Sequence, residues 1–360
     1  MLGEPRKLDV SYNPEAKAQL LSFKESANRV LNLAMLLKEE KDQQVEYEEP
    51  TTFQEAWNHP DEFQQKKWRE AIRKEFRHMI KRGVWRKTTR NQMPANRRCV
   101  KSKWVFKVKQ NGVYRASLVA CGYSQIPGVD FSENYLPVVH DITFRILILA
   151  MILFGLSAKI VDVETAFLYG ELDEEIYMEC PPGMKSKADE ILILGQCIYG
   201  LVQSARQYHK KAVEILRKIG FVGGEVDPCL FMKKSEKGLV YIALYVDDNL
   251  LVGHPEAIKQ VIQDLRENGL ILKMDHDLTD YLSCEIKFSD NRKSAWLGQP
   301  HLISNLEKFF GKQVKGMRSY ATPGTPGKIM IRKKDEAQLI SKEDQKLYRS
   351  GVGMLLYLVK

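Results

Sequence analysis

The chain has 360 residues, 44% hydrophobic and 28% charged, with six cysteines and a formal charge of +9. That much apolar material supports one large or two modest globular domains and excludes wholesale disorder. The cysteines form no CxxC pair and the N-terminus no signal pattern, while the apolar run Ile142 to Leu156 is too short to cross a bilayer, so a zinc site, a disulfide scaffold and a membrane partner are set aside.

In chain order, residues 1–50 read as a tail or linker, with a weakly helical patch from Glu15 to Leu37 and then a polar, acidic run. Trp68, Ile72, Phe76, Met79 and Ile80 fall at helical spacing and predict an amphipathic helix over 62–82. From Lys66 to Gln125 there are eighteen Lys or Arg against Glu70 and Glu75, a net +16 that leaves −7 for the rest of the chain. A stretch this one-sided points to a polyanionic partner, although a solvated helix and hairpin would also carry it.

Two apolar runs flank Asn111-Gly112, the pattern of strands joined by a tight type I′ turn. Lys101, Lys103, Lys107, Lys109 and Arg115 lie on this hairpin with Trp104 and Tyr114 interleaved, as a groove for a charged backbone needs. Residues 141–156 read as a buried helix, Ala158 to Val163 as a strand, and Ile191 to Leu194 as a second apolar run. A helix follows from about Ser204 to Ile219, and Leu239 to Gly253 reads as strand, turn, strand around Asp247-Asp248. Another amphipathic helix holds Ile258, Val261, Ile262 and Leu265. The irregular alternation favours an α+β fold, a mostly antiparallel sheet backed by helices.

Adjacent carboxylates between apolar strands are costly unless a cation compensates. Asp247 and Asp248 alone would read as turn residues, but Asp162 ends another β-branched strand. Three carboxylates on two strands make a site for magnesium or manganese, and two such ions can drive in-line phosphoryl displacement. A glycosidase would instead need one acid of raised pKa across a sugar cleft.

Seven segments then carry a resemblance: EFRHMIKRGVW (75–85), KSKWVFKVKQNG (101–112), LVACGYSQIPGVDF (118–131), VDVETAFLYGELDEEIYM (161–178), IYGLVQSARQY (198–208), YVDD (245–248) and YLSCEI (281–286). In this order they resemble the reverse transcriptase of copia-type (Pseudoviridae) LTR retrotransposons, from about Thr51 to the end. The resemblance implies a right-hand polymerase with fingers and palm over 51–290 and, over 291–360, a partial thumb and the start of a connection region. It implies an RNA-directed DNA polymerase that uses two Mg2+ or Mn2+ ions, dNTPs, and an RNA or DNA template with primer.

By the same resemblance Asp162, Asp247 and Asp248 are catalytic and hold metal, with the Val163 carbonyl beside them. Phe167 lies under the incoming sugar; Gly200 and Gln203 pack the templating base and the nucleotide. Arg115 and Lys107 bind nucleotide, Tyr281 opens the primer grip, and Lys101, Lys103, Trp104 and Tyr245 bind nucleic acid. Residues 299–310 would be the first thumb helix.

Ser117, Cys121, Val202 and Ser283 depart from the family, which mostly has a basic residue at the first two, Lys at the third and Gly at the fourth. The expectation is thus of a polyprotein fragment, cytoplasmic in virus-like particles or nuclear, with integrase and RNase H as partners elsewhere in the polyprotein. The alternative is a catalytically impaired remnant that folds and binds nucleic acid without polymerising.

Overall fold

The computed structural model describes residues 49–109, 112–246, 248–274, 278–315 and 341–358. The helical patch expected at Glu15 to Leu37 lies outside them. A short helix, α1 (Phe53–Trp57), is capped by the Thr52 hydroxyl, and a long one, α2 (Glu62–Lys81), by the Asp61 carboxylate, which accepts the Gln64 N–H at 2.7 Å. Trp68, Ile72 and Met79 form the buried stripe of α2, as the periodicity predicts.

Strands β1 (Trp85–Thr89), β2 (Cys99–Val100), β3 (Ser102–Val108) and β4 (Tyr114–Ala120) come next. The β3–β4 hairpin buries Trp104, Phe106, Ala116 and Leu118 against α2; Trp68 meets Phe106 and Tyr114 edge-on at 5.3 and 4.6 Å between ring centres. Gly112 sits at φ 75° and donates its N–H to the Lys109 carbonyl, while Lys109 N–H reaches the Val113 carbonyl. Those bonds tie the two ends of the hairpin loop together; the tight turn expected at Asn111-Gly112 falls partly outside the described residues.

Helix α3 (Asp141–Phe154) leads into β5 (Ser157–Val163), followed by β6 (Glu171–Glu179) and β7 (Glu190–Gln196). The buried helix expected over 141–156 is present but buried on one side only: Phe144, Leu147, Ile148 and Met151 are buried, whereas Ile142, Ile146, Leu149 and Leu153 are exposed. A helix on the outside of a sheet buries one stripe only, whatever its composition. Strands β1, β7, β6 and β2 form a four-stranded sheet that shares its core with α2 and the hairpin.

The remaining elements are α4 (Ser204–Lys218), β8 (Val222–Gly223), β9 (Leu230–Ser235), β10 (Gly238–Ala243), β11 (Asp248–Gly253), α5 (Pro255–Glu267) and β12 (Leu272–Met274). After them come β13 (Asp280–Tyr281), β14 (Cys284–Phe288), β15 (Ala295–Gly298), α6 (Pro300–Val314) and α7 (Lys342–Leu358). The central sheet runs β12-β5-β11-β10-β9-β8, antiparallel throughout. Val161, Val163, Asn249 and Leu251 face Tyr208, Ala212 and Leu216 of α4 and Leu265 of α5. Alternation along a strand therefore turns Asp162 and Asp248 to the opposite face of the sheet.

Candidate active site

The β5–β11 register sets Asp162 directly opposite Asp248, and Lys273 of β12 opposite Asp162 on its other side. Directly opposite side chains stand about 4.5–5.5 Å apart at Cβ, and like charges there are destabilising. Two carboxylates so placed fit a hard divalent cation, which takes oxygen ligands. The Lys273 ammonium lies 3.0 Å from Glu164. Burial acts to raise the Glu164 carboxyl, but Lys273 and then Lys74 outweigh it and hold that carboxyl below its ordinary value.

Between β10 and β11 the Asp248 N–H donates to the Tyr245 carbonyl at 2.9 Å, and Val246 takes φ 51°. The left-handed region costs a β-branched residue roughly 1–2 kcal/mol. Asp247 lies outside the described residues. Behind the turn, Tyr281 donates its hydroxyl to the Asp248 carbonyl at 3.3 Å and packs on Phe144. Burial, and then the charge of Asp248, push its phenol far above the ordinary range.

On the other side of Asp162 lies Phe167, half-buried, its ring centre 4.5 Å from that of Tyr199. The Arg115 guanidinium sits 6.0 Å from the Tyr199 ring. Tyr199 thus joins the basic hairpin to the sheet that carries the carboxylates. The approach is close: the Ala120 N–H donates to the Tyr199 carbonyl at 2.7 Å, and a Cβ on Gly200, whose φ is 91°, would fall 2.1 Å from the Ala120 carbonyl oxygen. Tyr199 went unnamed among the expected site residues because its role depends on partners distant in sequence; Gly200 was placed at the base and nucleotide, and its glycine is required by this seam.

Strand alternation divides the hairpin. Lys101, Lys103, Lys107 and Arg115 are exposed on its open face, where Lys107 pairs with Arg115 and Val105 with Ser117. Trp104 lies on the closed face, 5% exposed, with its indole N–H donated to the Pro182 carbonyl at 3.0 Å. The expected interleaving of aromatic and basic side chains is therefore corrected: they occupy opposite faces, and Trp104 offers no ring to a base.

Gln203 is likewise interior. Its amide donates to the Asp130 carbonyl and accepts from Gln125, whose own oxygen takes the Val202 N–H. With 1% of its surface exposed it holds a loop and is not presented to a nucleotide. Tyr281, 3% exposed, braces the Asp248 strand from inside and is no external grip. Tyr245 is half-buried and lines a cavity of about 210 Å³ with Phe144, Leu282, Cys284, Gln299 and Tyr357.

A family described as "Reverse transcriptase (RNA-dependent DNA polymerase)" matches residues 85–310. The chain is 31% identical over 333 residues to the "Retrovirus-related Pol polyprotein from transposon TNT 1-94" of Nicotiana tabacum, covering 86% of this chain and 23% of that protein. It is 31% identical over 228 residues to the transposon RE2 polyprotein of Arabidopsis thaliana, covering 61% of this chain and 16% of the relative. To the Ty1-DR5 Gag-Pol polyprotein of Saccharomyces cerevisiae it is 24% identical, covering 88% of this chain and 18% of the relative. It therefore spans less than a quarter of these relatives.

A solved foamy viral protease-reverse transcriptase in complex with double-stranded DNA is similar at 13% identity and a TM-score of 0.38, covering 80% of this chain and 40% of that one, too low to bear on the fold by itself. The segment from Trp85 to Phe310, with the paired carboxylates inside it, places the chain in the reverse transcriptase family of copia-type retrotransposon Pol polyproteins.

Proposed function

We propose that the chain is an RNA-directed DNA polymerase which adds dNTPs to a primer 3′-hydroxyl on an RNA or DNA template. The observation that carries this is the register of Asp162 against Asp248 at the accessible end of a sheet face that α4 and α5 do not cover. Members of the family use divalent metal. Here Asp162, Asp248 and the turn carboxylate Asp247 would hold two Mg2+ or Mn2+ ions, with the Val163 carbonyl beside them. When bound, such ions acidify the attacking hydroxyl and neutralise the leaving pyrophosphate.

The chain's own residues do the rest. Phe167, backed by Tyr199, offers a flat edge beneath the incoming sugar and so favours the 2′-deoxy form. The open hairpin face, with Lys101, Lys103, Lys107 and Arg115, meets phosphate by charge and tolerates any sequence. Residues 51–290 would serve as fingers and palm, and α6 with α7 as the base of a thumb.

The test is extension of a DNA primer on an RNA template in magnesium, comparing the chain with Asp248→Asn. Extension confined to the unaltered chain supports the reading, and extension kept by the variant overturns the metal assignment. Template binding without extension in the unaltered chain would leave a nucleic-acid-binding remnant.

A further inference from the structure

The +16 of residues 66–125 does not converge on one place. One group of cations is neutralised: on β1, Arg86 pairs with Glu175, Lys87 with Glu190 and Arg90 with Glu179. A second group lies on the open face of the β3–β4 hairpin, toward Tyr199 and the carboxylates. A third lies along α2.

At 100° per residue, Lys66, Arg73, Arg77 and Lys81 fall on the side of α2 opposite its buried stripe of Trp68, Ile72 and Met79. All four are exposed, and they extend over about 22 Å of helix. Lys66, Arg77 and Lys81 make no ion pair among the described residues, and Arg73 rests over the Trp57 ring at 5.4 Å.

Because α2 covers the closed face of the hairpin, these cations and those of the open face lie on opposite sides of one layer. Lys74, on the flank of α2, is 3.9 Å from Glu164, so the helix meets the carboxylate side along that flank, and Lys66, Arg73 and Arg77 lie about 60–100° further round, away from it. We propose that this side of α2 is a second nucleic-acid surface, which holds the sugar-phosphate backbone of single-stranded RNA outside the polymerase cleft.

The same side carries one exposed acid, Glu70, so four cations against one carboxylate leave it at +3, and cations spaced over several phosphates suit such a backbone and read no sequence. An anionic membrane fits less well, since a surface-seeking helix must insert a continuous apolar face: that of α2 is packed on Phe106 and Tyr114, and its exposed large apolar side chains, Phe63 and Ile80, stand at opposite ends of the helix. The surface would operate whether or not the chain polymerises.

The experiment compares the whole chain with the variant Lys66→Gln/Arg73→Gln/Arg77→Gln/Lys81→Gln, and with Arg77→Gln/Lys81→Gln in case four changes perturb folding. Fluorescence anisotropy is followed against NaCl for a 30-nucleotide oligo(U) and for a blunt 12-base-pair RNA–DNA duplex. Each lost phosphate contact lowers the single-strand salt slope by about 0.7, so four lower it by about 3. The expected result is that loss on oligo(U), at least tenfold weaker binding at 100 mM salt, and unchanged duplex binding.

Arg86→Gln/Lys87→Gln/Arg90→Gln, which alters cations already paired, should leave the oligo(U) slope in place. An unchanged slope in the α2 variants overturns the proposal. So does an equal loss on both probes, or an equal loss in the β1 variant, since either would mean a general charge effect. Reduced binding to phosphatidylserine vesicles with RNA binding intact overturns it in favour of a membrane.

Discussion

Asp162 and Asp248 face each other across the β5–β11 pair, and Lys273, across from Asp162 on its other side, holds its ammonium 3.0 Å from Glu164. Opposed like charges lower stability by about 0.2–1 kcal/mol. Asp248→Asn should therefore melt higher than the unaltered chain in chelator-treated buffer. Millimolar magnesium should raise the melting temperature of the unaltered chain and leave the variant nearly unmoved, because a ligand stabilises only the state that binds it. Equal magnesium responses would remove this pair from the metal site.

Tyr199 touches both Phe167 and, through its ring face, Arg115. Tyr199→Ala should raise the KM for dNTP about tenfold, the equivalent of about 1.4 kcal/mol, and reduce discrimination against ribonucleotides, with template affinity unchanged. Tyr199→Phe keeps the ring and should restore both. A loss of thermal stability with KM and sugar discrimination intact would make the residue a packing element alone.

Ser117 stands on the open hairpin face beside Arg115 and opposite Val105. Ser117→Arg adds a third cation to the patch of Lys107 and Arg115, and a charge-assisted bond to phosphate is worth about 1.5–3 kcal/mol. Steady-state incorporation should show the dNTP KM falling by at least tenfold with the melting temperature unchanged. No change in KM would mean that this face does not reach the triphosphate.

The turn joining β13 to β14 consists of Leu282 at φ 52° and Ser283 at φ 64°, both left-handed. A type I′ turn demands that backbone and favours glycine, which is the physical reason a glycine would suit position 283 better than the serine found there. Ser283→Gly should stabilise the chain by about 1 kcal/mol in urea unfolding, near the cost of a side chain in that region. Unchanged or lower stability would show that the hairpin is held in place by its packing.

Much of this was legible in the sequence where a single element decides the outcome. The periodicity of α2, the strand before Asp162 and the strand-turn-strand around Asp248 all follow from local pattern. The hairpin was legible too, and so was its division: Trp104 has even parity while Lys103, Lys107 and Arg115 have odd, so they could not share a face. What the pattern could not carry was tertiary. The enclosure of Gln203 by Gln125 and Asp130, the bracing of Asp248 by Tyr281, and the place of Tyr199 all depend on segments brought together from afar.

Glu75 is half-buried between α2 and β4, where its carboxylate accepts the Leu118 N–H at 3.2 Å. Burial raises its pKa above the ordinary carboxylate value; the Leu118 bond and the charges of Arg115 and Lys74 only partly oppose this. The folded state therefore holds its proton more tightly than the unfolded state does. Its contribution is fully present below the unfolded value of about 4.3 and is lost as pH rises through the raised folded value. Glu75→Gln keeps an acceptor for Leu118 and carries no charge to desolvate. It should be more stable than the unaltered chain at pH 7.5, with the advantage shrinking on acidification and gone near pH 4. Urea unfolding at several pH values measures this directly, and a difference that is constant with pH would show that Glu75 is not desolvated in the fold.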